Sequence, residues 1–178
     1  MKHLSHLVLG MLLAATAASA QYRPGVKSLG GTFDFDIPES GPQSITIAPS
    51  LSYALSEKVA VGAEAIFGGE GEVRIFGIAP FLRGNLALND KAGAFARAFP
   101  VFLYGDLGTD LSSTTFGFGA DAGLYYWISQ HFSVELTVAN LAFLKTSVDF
   151  DGTELADETN FTGSVDPSDV TVSVFYHF

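Results

Sequence analysis

"DVTVSVFYHF", residues 169–178, alternates without a break. Val170, Val172, Val174, Tyr176 and Phe178 share one face of an extended strand, and Thr171, Ser173, Phe175 and His177 share the other. Terminal residues usually fray into water. An apolar face that runs to the last residue needs a surface to lie against, and a period of two is therefore the pattern to follow back through the chain.

From residue 28 onward that period recurs and no stretch keeps a helical one. The spacing predicts eight segments, roughly 28–37, 43–56, 59–68, 72–88, 91–105, 113–128, 131–147 and 166–178. Their connections alternate in character. Ser56-Glu57-Lys58, Leu88-Asn89-Asp90-Lys91 and Ser129-Gln130 are tight, whereas the others contain residues 38–42, 68–71, 106–112 and a long acidic stretch, 149–169, read as a loop. An even number of antiparallel strands with short turns at one end and loops at the other predicts an all-β, eight-stranded up-and-down transmembrane β-barrel of the outer membrane.

The faces agree with this. Ile45, Ile47, Leu51 and Tyr53 alternate with Ser44, Thr46, Ser50 and Ser52, and Phe116, Phe118, Leu124 and Tyr126 alternate with Thr115, Gly117, Gly119, Asp121 and Gly123. One face suits lipid and the other a polar interior. With the short turns at the lower, periplasmic end, Tyr53, Tyr126, Phe132, Tyr176 and Phe178 gather below. Phe35, Phe67, Phe76, Phe102, Tyr104 and Phe116 gather above, so two aromatic girdles are expected. Hydrocarbon cannot hydrogen-bond an open sheet edge, so residues 166–178 should close the barrel against residues 28–37.

The first twenty residues fit an exported protein. Lys2 and His3 precede an apolar run from Leu7 to about Ala18, and Ala18-Ser19-Ala20 is a small-residue cleavage pattern, so residues 1–20 read as a signal peptide cut before Gln21. Residues 21–178 then form one domain. Without Lys2, 8 of the 9 basic side chains face 19 acidic ones, a net charge near −11, which excludes nucleic acid as a partner. The chain has no cysteine, so disulfides and thiolate metal sites are excluded as well.

Three stretches, "APSLSYALSEKVAVG" (48–62), "FGIAPFLRGNLAL" (76–88) and "GFGADAGLYYWISQHFSVELTVANLAF" (117–143), resemble the outer-membrane β-barrel domain family of Bacteroidetes-type bacteria. The likeness spans essentially all of residues 21–178. It implies a small OmpA/OmpX-like barrel and brings no catalytic residues and no cofactor. The ending Tyr176-His177-Phe178 is similar to the signal read by the outer-membrane assembly machinery, with Val174, Tyr176 and Phe178 as its apolar positions.

Charged residues at predicted inward positions are Asp34, Asp36, Glu64, Arg83, Arg97, Asp121 and Glu135. An isolated buried charge is costly, so an inner polar network of Glu64, Arg83, Arg97, Asp121 and Glu135 is expected, each arginine able to bridge two carboxylates. Eight strands leave an interior that side chains just fill, which favours a polar plug over a gated or narrow conduit. The acidic stretch 149–169 lacks the spacing of a calcium loop and reads as a solvated face. "GFGADA", 117–122, matches a dinucleotide fingerprint only formally, since no helix follows it.

Nucleophilic catalysis would need a histidine base beside a nucleophile. After residue 20 only His131 and His177 remain, both at the short-turn end, so no catalytic residues are expected. The function so read is a non-enzymatic outer-membrane barrel with a structural or surface-interaction role. A narrow channel or conduit for small ions or apolar solutes is the alternative, and a soluble exported lipocalin-like barrel a second. Outer-membrane lipid, lipopolysaccharide and the assembly machinery are the expected partners of a monomeric chain.

Overall fold

The computed structural model describes residues 22–36, 44–108, 111–150, 153–164 and 170–178, and these form one antiparallel sheet. Its strands are β1 (Lys27–Asp36), β2 (Ser44–Ala54), β3 (Val59–Glu70), β4 (Val73–Ala87), β5 (Ala92–Asp106), β6 (Leu111–Trp127), β7 (Phe132–Phe150), β8 (Thr153–Ser164) and β9 (Thr171–His177). Neighbours in sequence pair from β1 to β7, and β9 closes the sheet by pairing with both β7 and β1. The closing register, Ser28 opposite His177 and Thr32 opposite Ser173, joins the two segments the alternation predicted to meet.

The last wall of the barrel is built from two pieces. β9 covers the lower part of β7, from Phe132 to Thr137, and β8 covers the upper part, from Asn140 to Phe150. Together they fill the eighth position of an eight-stranded barrel. The reading of 149–169 as a loop is corrected here: Thr153–Ser164 is strand, hydrogen-bonded along β7. Its alternation is hidden because apolar residues are sparse, Leu155, Ala156 and Phe161, and its described residues short of Ser164 are exposed. The ladder offered by the long edge of β7 holds it instead. Asp151, Asp166 and Asp169 lie outside the described residues.

The lower turns share one device. Ser56 Oγ accepts the amides of Lys58 and Val59 at 3.2 and 3.1 Å. Asn89 Oδ1 accepts those of Lys91 and Ala92, both at 2.8 Å, and Ser129 Oγ those of His131 and Phe132, both at 3.2 Å. Short polar side chains that cap their own turn let each hairpin reverse in four residues. At the upper end β3 and β4 are joined by the two residues Gly71-Glu72, tighter than expected, with Gly71 at φ +60° where a side chain would be strained.

Outward positions are apolar and exposed on every strand from β1 to β7 and on β9, among them Leu29, Ile47, Leu82, Phe118, Phe143 and Val174. At the lower rim Tyr176 lies 5.1 Å from Phe132 and 6.1 Å from Phe178, ring to ring. At the upper rim Phe67 pairs with Phe76 at 6.2 Å and Phe102 with Phe116 at 4.9 Å. The side chain of Phe35 lies outside the described set.

Inside, large and small residues interlock. Phe81, Phe95, Phe99, Tyr125 and Phe175 point inward, and each stands directly across a ladder from a glycine: Gly62, Gly123, Gly119, Gly93 and Gly30. A Cβ at Gly119 would enter the Phe99 ring, and one at Gly93 the Tyr125 ring. The glycines of the formal fingerprint "GFGADA" therefore serve packing. The interior is mixed: aromatic rings stand among the buried charges of its lower half, and above them Ile66, Val101, Leu103 and Leu144 share the inward face with the hydrogen-bonded pair Thr115 and Thr146.

Candidate functional site

All five residues of the expected inner network point into the lumen, where they form two separate ionic clusters. Arg83 on β4 and Arg97 on β5 are direct ladder partners, so two guanidinium groups start from facing positions. Repulsion is relieved because they turn to different carboxylates. Arg83 reaches down to Glu135 on β7, its Nη1 donating to both carboxylate oxygens at 2.7 Å, and its Nε donates to Asn85 Oδ1 at 2.7 Å. Both side chains are almost wholly buried, 5 % and 3 % exposed. The guanidinium carbon lies 4.3 Å from the centre of the Phe95 ring. A delocalised cation can be stacked and hydrogen-bonded at once in this way, where an ammonium could not.

Arg97 turns to Asp121, its ladder partner on β6, donating from Nε to the two oxygens at 2.9 and 3.0 Å, with Nη2 on the same carboxylate. Its Nη1 donates to Glu64 Oε2 at 3.3 Å, so one arginine bridges two carboxylates. This upper cluster is wetter, with 15 % of Arg97 and 17 % of Glu64 exposed. The side chains of Asp34 and Asp36 are outside the described set.

Beneath Glu135 lies an aromatic floor. The Trp127 and His177 rings are 4.1 Å apart. His177 Nδ1 meets Ser28 Oγ at 2.7 Å and its Nε2 meets Ser133 Oγ at 2.8 Å, so a neutral imidazole can donate to one serine and accept from the other. Serine and histidine are thus adjacent, but Ser133 is fully buried, Ser28 nearly so, and among the described residues both ring nitrogens meet serine hydroxyls rather than a carboxylate. His131 sits outside the floor, its ring stacked on Tyr176 at 5.8 Å and its Nδ1 3.0 Å from the His177 carbonyl oxygen.

One floor residue escapes sequence reasoning. Tyr22, ahead of β1, is 4 % exposed and enters the lumen from below. Its hydroxyl donates to Glu135 Oε1 at 3.1 Å, and its ring stands edge-on to Tyr125, Trp127 and His177 at 5.7, 5.5 and 5.7 Å. The available signal was an aromatic two residues before a Pro24-Gly25 turn. Among the described residues no group of three or more histidine, aspartate and glutamate side chains is placed to hold a metal ion. Val174, Tyr176 and Phe178 all lie on the outward face of the closing segment.

No protein-family model matches the sequence, and no curated protein resembles it. Solved structures do. The outer membrane protein OprG from Pseudomonas aeruginosa superposes with a TM-score of 0.56 at 11% identity, over 90% of this chain and 99% of that one. Neisserial surface protein A gives 0.50 at 12% identity, over 86% of this chain and 96% of that one. At such identities the likeness is one of architecture: the chain is a closed, eight-stranded antiparallel β-barrel folded like those of small outer-membrane proteins.

Proposed function

We propose that the chain is a non-enzymatic integral barrel of the outer membrane, monomeric, with a structural or surface-interaction role. The observation that carries this is the inversion of polarity. Large apolar side chains are exposed around the outside, while Arg83, Glu135, Asp121, Ser133 and His177 are buried within. A soluble lipocalin-like barrel needs the reverse, because water would meet a belt of leucine, isoleucine, valine and phenylalanine. Aromatic residues at both rims match the two interfaces of a bilayer. The architecture shared with OprG and surface protein A supports the same location.

Membrane lipid and lipopolysaccharide are then the surroundings of the outer wall, and Val174, Tyr176 and Phe178 present the apolar strand face offered to the assembly machinery. The narrower kinship with Bacteroidetes-type OmpA/OmpX-like barrels and cleavage before Gln21 belong to the same proposal. The filled lower lumen favours a plug over a channel. The alternative, a narrow conduit, keeps as its support the partly exposed Arg97–Glu64 cluster above the plug.

Membranes from expressing cells, washed in alkaline carbonate, test the location: the protein is expected in the pellet, and release into the wash would reject the reading. Unboiled protein should migrate differently from boiled protein on a detergent gel. Planar-bilayer recording of the purified barrel beside Arg83→Ala separates plug from conduit, since reproducible steps that change in the variant would favour the conduit.

A further inference from the structure

The lower mouth of the barrel is shut by chain that is not strand. Residues 22–26 reverse at Pro24-Gly25, where Gly25 adopts φ +92°. Two backbone hydrogen bonds pin the turn to the end of β2, Gly25 N to Ala54 O at 2.8 Å and Ala54 N to Val26 O at 2.9 Å. The reversal sends Tyr22 upward into the lumen. There the described contacts of Tyr22 are made by its side chain: the hydroxyl on Glu135 and the ring against Tyr125, Trp127, His177 and the Arg83 guanidinium, whose carbon is 5.1 Å from the ring centre. The strands are held by rows of ladder bonds, and the closure of β9 on β1 and β7 uses none of residues 22–26. The segment is therefore separable from the wall it closes.

We propose that residues 22–26 are a stopper for the lower end of the lumen, with Tyr22 as its head and Gly25 as its hinge. The proposal rests on the outer-membrane reading, under which this mouth faces the aqueous periplasm. With Tyr22 seated, Trp127 and the Arg83–Glu135 pair are sealed from water on that side. With Tyr22 withdrawn, the floor becomes a shallow pocket with an aromatic wall and a charged ceiling, open to small polar solutes. Edge contacts between rings and one hydrogen bond at 3.1 Å make a seat that local opening can break without unfolding the barrel.

The chain supplies its own reporter. Trp127 is its only tryptophan, 2 % exposed, with its ring centre 5.5 Å from that of Tyr22. Barrels purified in detergent from expressing cells would be titrated with acrylamide and iodide, comparing the parent with Tyr22→Ala, Tyr22→Phe and Gly25→Val. Gel mobility with and without boiling would verify closure of each barrel. Tyr22→Ala should raise quenching of Trp127 several-fold and shift its emission to the red. Tyr22→Phe keeps the ring and should stay near the parent. A Cβ at Gly25 meets no neighbouring atom within 4 Å, but Gly25→Val strains a left-handed backbone, so it should loosen the seat and fall between.

Closed barrels in which Tyr22→Ala and Gly25→Val leave Trp127 as protected as in the parent would overturn the stopper. So would a parent already quenched as strongly as Tyr22→Ala. If neither variant gives a closed barrel, Tyr22 belongs to the core of the fold and the proposal falls. Release of the parent by carbonate would instead count against the membrane reading, whatever the quenching shows.

Discussion

Glu135→Ala tests the lower ionic cluster most directly. The substitution leaves Arg83 charged, 4 % exposed and without the carboxylate its Nη1 now shares at 2.7 Å, and it removes the acceptor of the Tyr22 hydroxyl. Breaking a buried pair from one side costs about 3–5 kcal/mol, because the remaining charge stays desolvated. Stacking on Phe95 and the bond to Asn85 hold the guanidinium in place, so it cannot easily swing to water. With a urea slope of roughly 1–3 kcal/mol per molar, the unfolding midpoint should fall by at least about 1 M. The assay is urea unfolding of the barrel in lipid vesicles, followed by Trp127 emission. Arg83→Met combined with Glu135→Leu removes both charges and should recover most of the loss. Two results would refute the reasoning: a Glu135→Ala cost under about 0.5 kcal/mol, which would mean water reaches the pair, or a double variant as weak as the single one, which would assign the loss to packing.

Gly119→Val forces atoms into the Phe99 ring and should cost about 1–3 kcal/mol, with partial rescue by Phe99→Ala; equal stability in the same urea assay would remove the interlocking argument. Lys145 and Asp157 join β7 to β8 at 2.8 Å but are 55 % and 40 % exposed, so Lys145→Ala should change stability by under about 0.5 kcal/mol. Deleting Phe178 should lower the yield of assembled barrel in membranes more than Asp157→Asn with Glu158→Gln does, since Phe178 N and O both bond to Lys27 at the closing seam; equal yields would separate assembly from the terminal residue.

Much of this was legible in the sequence because a membrane barrel imposes one rule on every strand. Alternation placed Leu51 outside and Ser52 inside without tertiary knowledge, and the turn chemistry of Ser56, Asn89 and Ser129 fixed where hairpins reverse. That Arg97 would need carboxylate partners was anticipated; that Asp121 and Glu64 supply them required the strand register. The rest required neighbours. Thr153–Ser164 carries too few apolar residues to declare itself and is strand because β7 outruns β9. The heights of residues in the lumen depend on the register between strands, which sets Ile66 and Leu144 above the arginines. Tyr22 belongs to no periodic segment, and its burial follows from a turn whose direction one glycine sets.

The floor of the barrel also orders events during folding. It is made by residues from the two ends of the chain, Tyr22 beside His177 and Ser28 bonded to His177, with Trp127 and Glu135 between them in sequence. Contacts of that sequence separation require nearly the whole polypeptide to be gathered before they form, so they come late and slow the search. Until β9 arrives, Ser28 and Ser133 lack their imidazole partner, and Glu135 lies on a strand whose lower edge is open. The internal core and the closing seam are therefore completed together, which makes the last strand the step that converts a curled sheet into a single cooperative unit.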